Sequence, residues 1–97
     1  MKVAELKRLV TVGKKVILTE STQQLSLRIH PYLNKEREVT YVNTVGFGLT
    51  YTEDGKTSIL DWPKASQLSD GGTDDKGRYF KVTLPHVTMT YLVLDEH

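Results

Sequence analysis

The chain contains no cysteine. That excludes disulfides, thiolate metal sites and any Cys–His nucleophilic pair. Small secreted domains usually need such staples, so a reducing, cytoplasmic setting is the expectation. Long apolar runs are missing as well. None approaches the ~20 residues of a membrane-spanning helix, and residues 1–8 lack the apolar stretch of a signal peptide. No membrane partner is expected. Nor does one sign of charge prevail: 13 Lys and Arg face 12 Asp and Glu, a net charge of +1. Residues 1–40 carry eight basic and four acidic groups, and residues 41–97 carry five and eight. This mild asymmetry reads as a solvated surface.

The motifs of chemistry are also sparse. His30, His86 and His97 are the only histidines, and none stands at HxH or HxxxH spacing. Asp70, Asp74 and Asp75 lack the ligand spacing of a calcium loop. No serine sits in a G-x-S-x-G elbow, and no glycine cluster precedes a helix to cradle phosphate. Asp61 beside Trp62 is the only acid next to a large apolar group, and a helix cap accounts for it. The expectation is therefore a protein without enzymatic activity, metal, catalytic residues or small-molecule cofactor.

What the chain does contain is alternation. Val45, Phe47, Leu49 and Tyr51 point one way while Gly46, Gly48 and Thr50 point the other, the period-two signature of a strand with one buried face. Asp54-Gly55 supplies a two-residue hairpin turn, and residues 56–60 return. Residues 14–19 form another strand candidate, residues 20–23 a turn, and residues 24–30 a further strand with Leu25, Leu27 and Ile29 inward. Pro31 ends it. Residues 34–37 read as a polar turn. Residues 38–44 are extended and run on into the Val45 strand. Residues 78–84 and 87–94 alternate again. At the N-terminus Val3, Leu6 and Val10 fall on one helical stripe, and Gly13 stands where a capping glycine belongs.

Ninety-seven residues suit one domain. The expected fold is α+β: an N-terminal amphipathic helix over 2–12, packed on a curled antiparallel β-sheet or small β-barrel of six or seven strands. The strands lie within 14–60 and 78–94. Residues 61–77 supply a short helical turn and an acidic, glycine-rich loop, reading SDGGTDDKG over 69–77.

Gly46-Phe47-Gly48-Leu49 followed by Glu53-Asp54-Gly55 resembles the first RNA-binding strand and turn of cold-shock domains. The resemblance spans about twenty residues and implies a base-stacking role for Phe47. The sequence departs from that family at Val45, where a lysine is usual. It departs again at Ile59-Leu60-Asp61-Trp62, which lacks the second motif's phenylalanines and histidine. The opposite expectation for Phe47 follows from its phase with Val45 and Leu49, which places it in the core.

Basic and aromatic residues interleave over 76–81, as single-strand binders arrange them. Arg78, Tyr79 and Lys81, with Tyr51 on a neighbouring strand, would then form a stacking patch. Tyr, Trp and Arg are also the usual anchors of protein interfaces. Tyr32, Tyr41, Trp62, Arg78, Tyr79 and Lys81 are thus the candidate partner-binding residues. The function expected is a non-catalytic binding module of the type small phage and mobile-element accessory proteins or inhibitors represent. It acts on a protein partner, or on a copy of itself, through a β edge or an exposed sheet face. The alternative is a single-stranded nucleic-acid-binding module.

Overall fold

β-branched Val10, Thr11 and Val12 follow the first helical turns and resist helical χ1 geometry. In the computed structural model of the chain, which describes residues 1–23 and 30–95, the helix accordingly stops early. Helix α1 spans Val3–Leu9, shorter than the expected 2–12, and Val10 is already extended. Gly13 does not cap it. Its φ of 96° turns the chain toward the sheet, and its N–H donates to the Val39 carbonyl.

Seven strands follow: β1 (Lys15–Gln23), β2 (Glu36–Val42), β3 (Gly46–Thr50), β4 (Thr57–Asp61), β5 (Leu68–Thr73), β6 (Gly77–Leu84) and β7 (Val87–Leu94). They form one antiparallel sheet in the order β4-β3-β2-β1-β7-β6-β5. Two meanders, β1 to β4 and β5 to β7, are thus joined at the middle by the β1–β7 ladder. The sheet is not closed: β4 and β5 are both edges. It is strongly curled. Phe47 of β3 and Phe80 of β6 line one cavity, although four strand spacings of ~4.8 Å would hold them ~19 Å apart in a flat sheet. The core inside the curl comprises Leu6 and Val10 with Val16, Leu18, Val39, Phe47, Leu49, Leu68, Phe80, Tyr91 and Val93.

Several boundaries differ from the sequence reading for identifiable reasons. Residues 20–23 are no turn but the second half of β1. A register shift between Leu18 and Glu20 re-pairs the strand with Met89, Thr88 and Val87, and the Thr19 hydroxyl donates to the Thr90 carbonyl at 3.2 Å. The strand expected over 24–30 falls on residues outside the description, apart from His30. Asn34 does turn the chain, at φ 60°, but Glu36 and Arg37 already belong to β2. The expected continuation of residues 38–44 into the Val45 strand is instead a hairpin. The Asn43 side-chain oxygen accepts the N–H groups of Val45 and Gly46, both at 2.9 Å. Val45 therefore leaves the buried row and is 66% exposed, whereas Phe47 and Leu49 are buried as their phase requires. Burial of Phe47 removes the stacking role that the cold-shock resemblance implies. The Asp54-Gly55 hairpin stands where expected, but its loop is wider. The Tyr51 N–H donates to the Lys56 carbonyl, enclosing residues 52–55, with Gly55 at φ 69°.

The largest departure is over 61–77. Asp61 ends β4 rather than capping a helix, and Gln67 Oε1 accepts the Lys64 N–H instead. Only one hydrogen-bonded turn follows, from Lys64 to Leu68. Residues 69–73 pair with β6 despite their glycines. Gly71 lies under the Tyr79 side chain, where a Cβ would collide, and Gly72 takes φ 90° at the bulge between Asp70 and Gly72. Aspartates close the adjacent turns: Asp70 accepts the Gly72 N–H, and Asp74 accepts those of Lys76 and Gly77.

These turns make stability depend on acid. The Lys56 N–H, then the Tyr32 hydroxyl, hold the Asp54 carboxyl below its ordinary range. The Gly72 N–H, then Arg78, do the same for Asp70, and the Tyr79 hydroxyl followed by the Lys76 N–H for Asp74. A carboxyl whose folded pKa is depressed stabilises the fold fully above its unfolded value, ~3.9, and loses that contribution as pH falls through the lowered folded value. Urea midpoints are expected to stay level from about pH 7 to 5 and to drop below about pH 4. Asp74→Asn should remove part of that drop, and an unchanged slope in the variant would refute the assignment.

Candidate binding site

After β4 the chain must travel from one edge of the sheet to the other, and residues 62–67 make that crossing as a strap. Pro63 is buried in it. Trp62 is half-buried: its ring lies 5.0 Å from Phe47, and its indole N–H donates to the Asn43 carbonyl at 2.8 Å. Helix α1 braces the same end. Lys7 Nζ sits 5.6 Å from the Trp62 ring centroid, and Glu5 reaches Arg78 at 3.5 Å. Trp62 thus touches helix, strap and sheet while also lining the adjacent pocket.

Between strap, β4 and the β6–β7 hairpin lies a cavity of about 490 Å³. Phe47, Leu60 and Trp62 line one side; Phe80, Val82, Met89 and Tyr91 line the other. Phe80 and Tyr91 stack at 5.1 Å. The size and apolar lining match those of small-ligand and peptide side-chain pockets.

The two edges beside it differ in character. β5 is blunted by its bulge and by Asp70, which is tied to Arg78 at 3.2 Å. β4 is regular, pairing residue for residue with β3 from Thr57↔Thr50 to Asp61↔Gly46. It carries no lysine, proline or bulge, and its protection is limited to its short length of five residues and the exposed Asp61 at its end. Ile59 at its centre is 72% exposed. Asp61 is exposed and makes no ion pair among the described residues.

The candidate residues from sequence scatter around this arrangement. Tyr32, in the loop before β2, packs edge-on against Tyr51 at 5.6 Å and donates its hydroxyl to Asp54 at 2.9 Å. Its pKa is raised, chiefly by that hydrogen bond. Tyr41 covers Gly48 on the neighbouring strand, in space that a Cβ at Gly48 would take. Arg78, Tyr79 and Lys81 share β6 but not a face. Arg78 lies on the Phe80 side, tied to Glu5 and Asp70, while Tyr79 and Lys81 alternate to the other. The Tyr79 hydroxyl donates to Asp74 at 2.7 Å. Tyr51 lies not beside β6 but at Tyr32.

Sequence reasoning missed Ile59 and Asp61 as edge residues, because strand order is needed to know that β4 is an edge. It also missed Arg37, which is 2% exposed. The signal was present: Arg37 shares the phase of buried Val39. Among the described residues no three His, Asp or Glu side chains converge as metal ligands, and no helix is long and apolar enough to cross a membrane. No protein-family model matches the chain, and neither a curated protein nor a solved structure matches it.

Proposed function

We propose that the chain is a non-catalytic binding module that takes up an extended segment of a partner protein along the free edge of β4. The observation that carries this reading is the contrast between the two sheet edges. β5 is bulged and tied to Arg78, whereas β4 pairs with β3 in unbroken register and carries an exposed isoleucine. A strand laid against β4 gains main-chain hydrogen bonds for affinity and pockets at alternate side chains for selectivity. β4 residues line the cavity, so inward side chains of the added strand would reach apolar surface. Asp61, which makes no ion pair among the described residues, favours a basic residue at that end of the partner.

Selection of random peptides against the full chain tests this. Bound peptides are expected to carry apolar residues at every second position and a Lys or Arg facing Asp61. Ile59→Lys is expected to weaken them at least tenfold, while its exposure keeps the stability change within ~0.5 kcal/mol. Peptides that bind Ile59→Lys as well as the native chain, or that lack the two-residue period, would refute the reading. Concentration-dependent dimerisation abolished by Ile59→Lys would instead identify a second copy as the occupant. The nucleic-acid alternative draws less support: Arg78 and Tyr79 point to opposite faces, and both are engaged by acidic residues.

A further inference from the structure

A row of hydroxyls crosses three strands and stops at the free edge of the sheet. The Thr40 and Thr50 hydroxyls lie 2.9 Å apart, and those of Thr50 and Thr57 lie 2.7 Å apart. Thr50 and Thr57 stand directly opposite each other on β3 and β4. The register shift between Val39 and Tyr41 brings Thr40 of β2 into the same row. A hydroxyl carries one proton and two lone pairs, so the two contacts use two of the three protons. Whichever way those protons run, the Thr57 oxygen keeps a free lone pair. When they run from Thr40 toward the edge, Thr57 has a free proton as well. Thr57 is exposed, and among the described residues its hydroxyl bonds only to Thr50.

The main chain of β4 is oriented to match. The Tyr51 N–H donates to the Lys56 carbonyl just before the strand, and the Trp62 N–H donates to the Val45 carbonyl just after it. In an antiparallel ladder, pairs that bond to each other alternate with pairs whose N–H and C=O groups turn away. The register of β3 and β4 is unbroken between those two bonds. Ser58 and Leu60 therefore bond toward β3, while Thr57, Ile59 and Asp61 turn their amides and carbonyls to the edge. These three also share the exposed face, and Ser58 and Leu60 lie half-buried on the other. A strand added to β4 is thus bonded through Thr57, Ile59 and Asp61. Its residues opposite Thr57 and Asp61 meet a hydroxyl and a carboxylate.

We infer that the segment captured at β4 runs antiparallel to it, with Ser or Thr opposite Thr57, Lys or Arg opposite Asp61, and apolar residues opposite Ser58 and Leu60. Read from its N-terminus, it is basic, apolar, any residue, apolar, hydroxyl. This rests on strand capture at the β4 edge and gives that reading its direction and register. Serine or threonine extends the row because each both donates and accepts, and so fits either order of protons. The antiparallel direction follows from two facts. Contact between threonines needs residues directly opposite each other, and antiparallel pairing is the more stable per residue.

Three acetylated and amidated peptides with two glycines at each end provide the test. One carries KVQVT in the middle. The second carries KVQVV, which replaces the hydroxyl with a methyl group of similar shape. The third carries TVQVK, the first composition in reverse order. Each is titrated into the full, isotope-labelled chain and followed by amide NMR shifts and hydrogen exchange. KVQVT is expected to bind about fivefold more tightly than either of the others. It should slow exchange at the amides of Thr57, Ile59 and Asp61, while those of Ser58 and Leu60 are protected beforehand. Thr57→Val is expected to erase the preference for KVQVT over KVQVV, and Thr57→Ser to retain it. With the response still confined to β4, three results would overturn the inference and leave strand capture standing. They are equal affinity for KVQVT and KVQVV, tighter binding of TVQVK, and a hydroxyl preference that survives Thr57→Val. Peptides that leave the β4 amides unchanged would overturn both.

Discussion

Gly46→Ala is expected to unfasten the outer hairpin and cost about 3 kcal/mol, near the upper end of overpacking penalties. A Cβ on Gly46 would overlap the Leu60 carbonyl oxygen and crowd the Asp61 Cα. Both obstacles are backbone, so no rotamer change relieves them. The Gly46↔Asp61 rung must open or β4 must move away from β3. On a domain of this size that cost lowers the melting temperature by roughly 12–24 °C. Hydrogen exchange should locate the damage, with the amides of β4 losing protection while those of β1 and β7 keep theirs. Gly55→Ala is the control. Gly55 has φ 69° but no heavy atom within 4 Å of a built Cβ, so it should cost only the ~1–2 kcal/mol of a left-handed backbone. Equal losses in the two variants would show that the contact with Leu60 is not what demands glycine at position 46.

Phe47→Ala is expected to be the most damaging single truncation, at ~3–5 kcal/mol. The ring is 2% exposed, belongs to the core cluster and supports Trp62 at 5.0 Å. Its removal joins new empty volume to an existing cavity and leaves the indole without its main neighbour. Total stabilities of such domains run to ~5–15 kcal/mol, so the variant stands close to unfolding. The chain has a single tryptophan, so fluorescence reads the event directly: emission should shift to the red in the folded variant, before any denaturant is added. Ile59→Ala on the partner strand removes a side chain that is 72% exposed and should stay within ~0.5 kcal/mol. A Phe47→Ala cost below ~1 kcal/mol would mean that the curl collapses freely around the gap.

Local pattern carried much of this fold. The phase of Phe47 and Leu49, the return at Asp54-Gly55 and the last two strands are all legible from period-two alternation and turn chemistry. The places where reading failed share a cause, which is that a distant partner decides them. Residues 20–23 look like a turn until β7 pairs with them, and residues 69–73 look like a loop until β6 does. Val45 shares the phase of Phe47, but Asn43 turns the chain on Val45 before the strand begins. The site was less legible still. Whether Ile59 lies at an edge depends on strand order, and Arg37 reads as an ordinary surface cation unless its phase with Val39 is weighed. One error needed no coordinates: residues 78 and 79 are adjacent in a strand, so Arg78 and Tyr79 face opposite sides.

The β1–β7 ladder bears on how the chain reaches this state. Each meander is built from sequence neighbours, and such hairpins form within microseconds. The seam between them instead matches Val16 with Val93 and Gln23 with Val87, spanning most of the polypeptide. Closing so long a loop is entropically costly before any contact rewards it. The expected slow step is therefore the pairing of β1 with β7, and substitutions in that seam should slow refolding more than those in β3 or β4. Until β7 has been made, one edge of β1 pairs with β2 while its other edge, the one that β7 will cover, stays open.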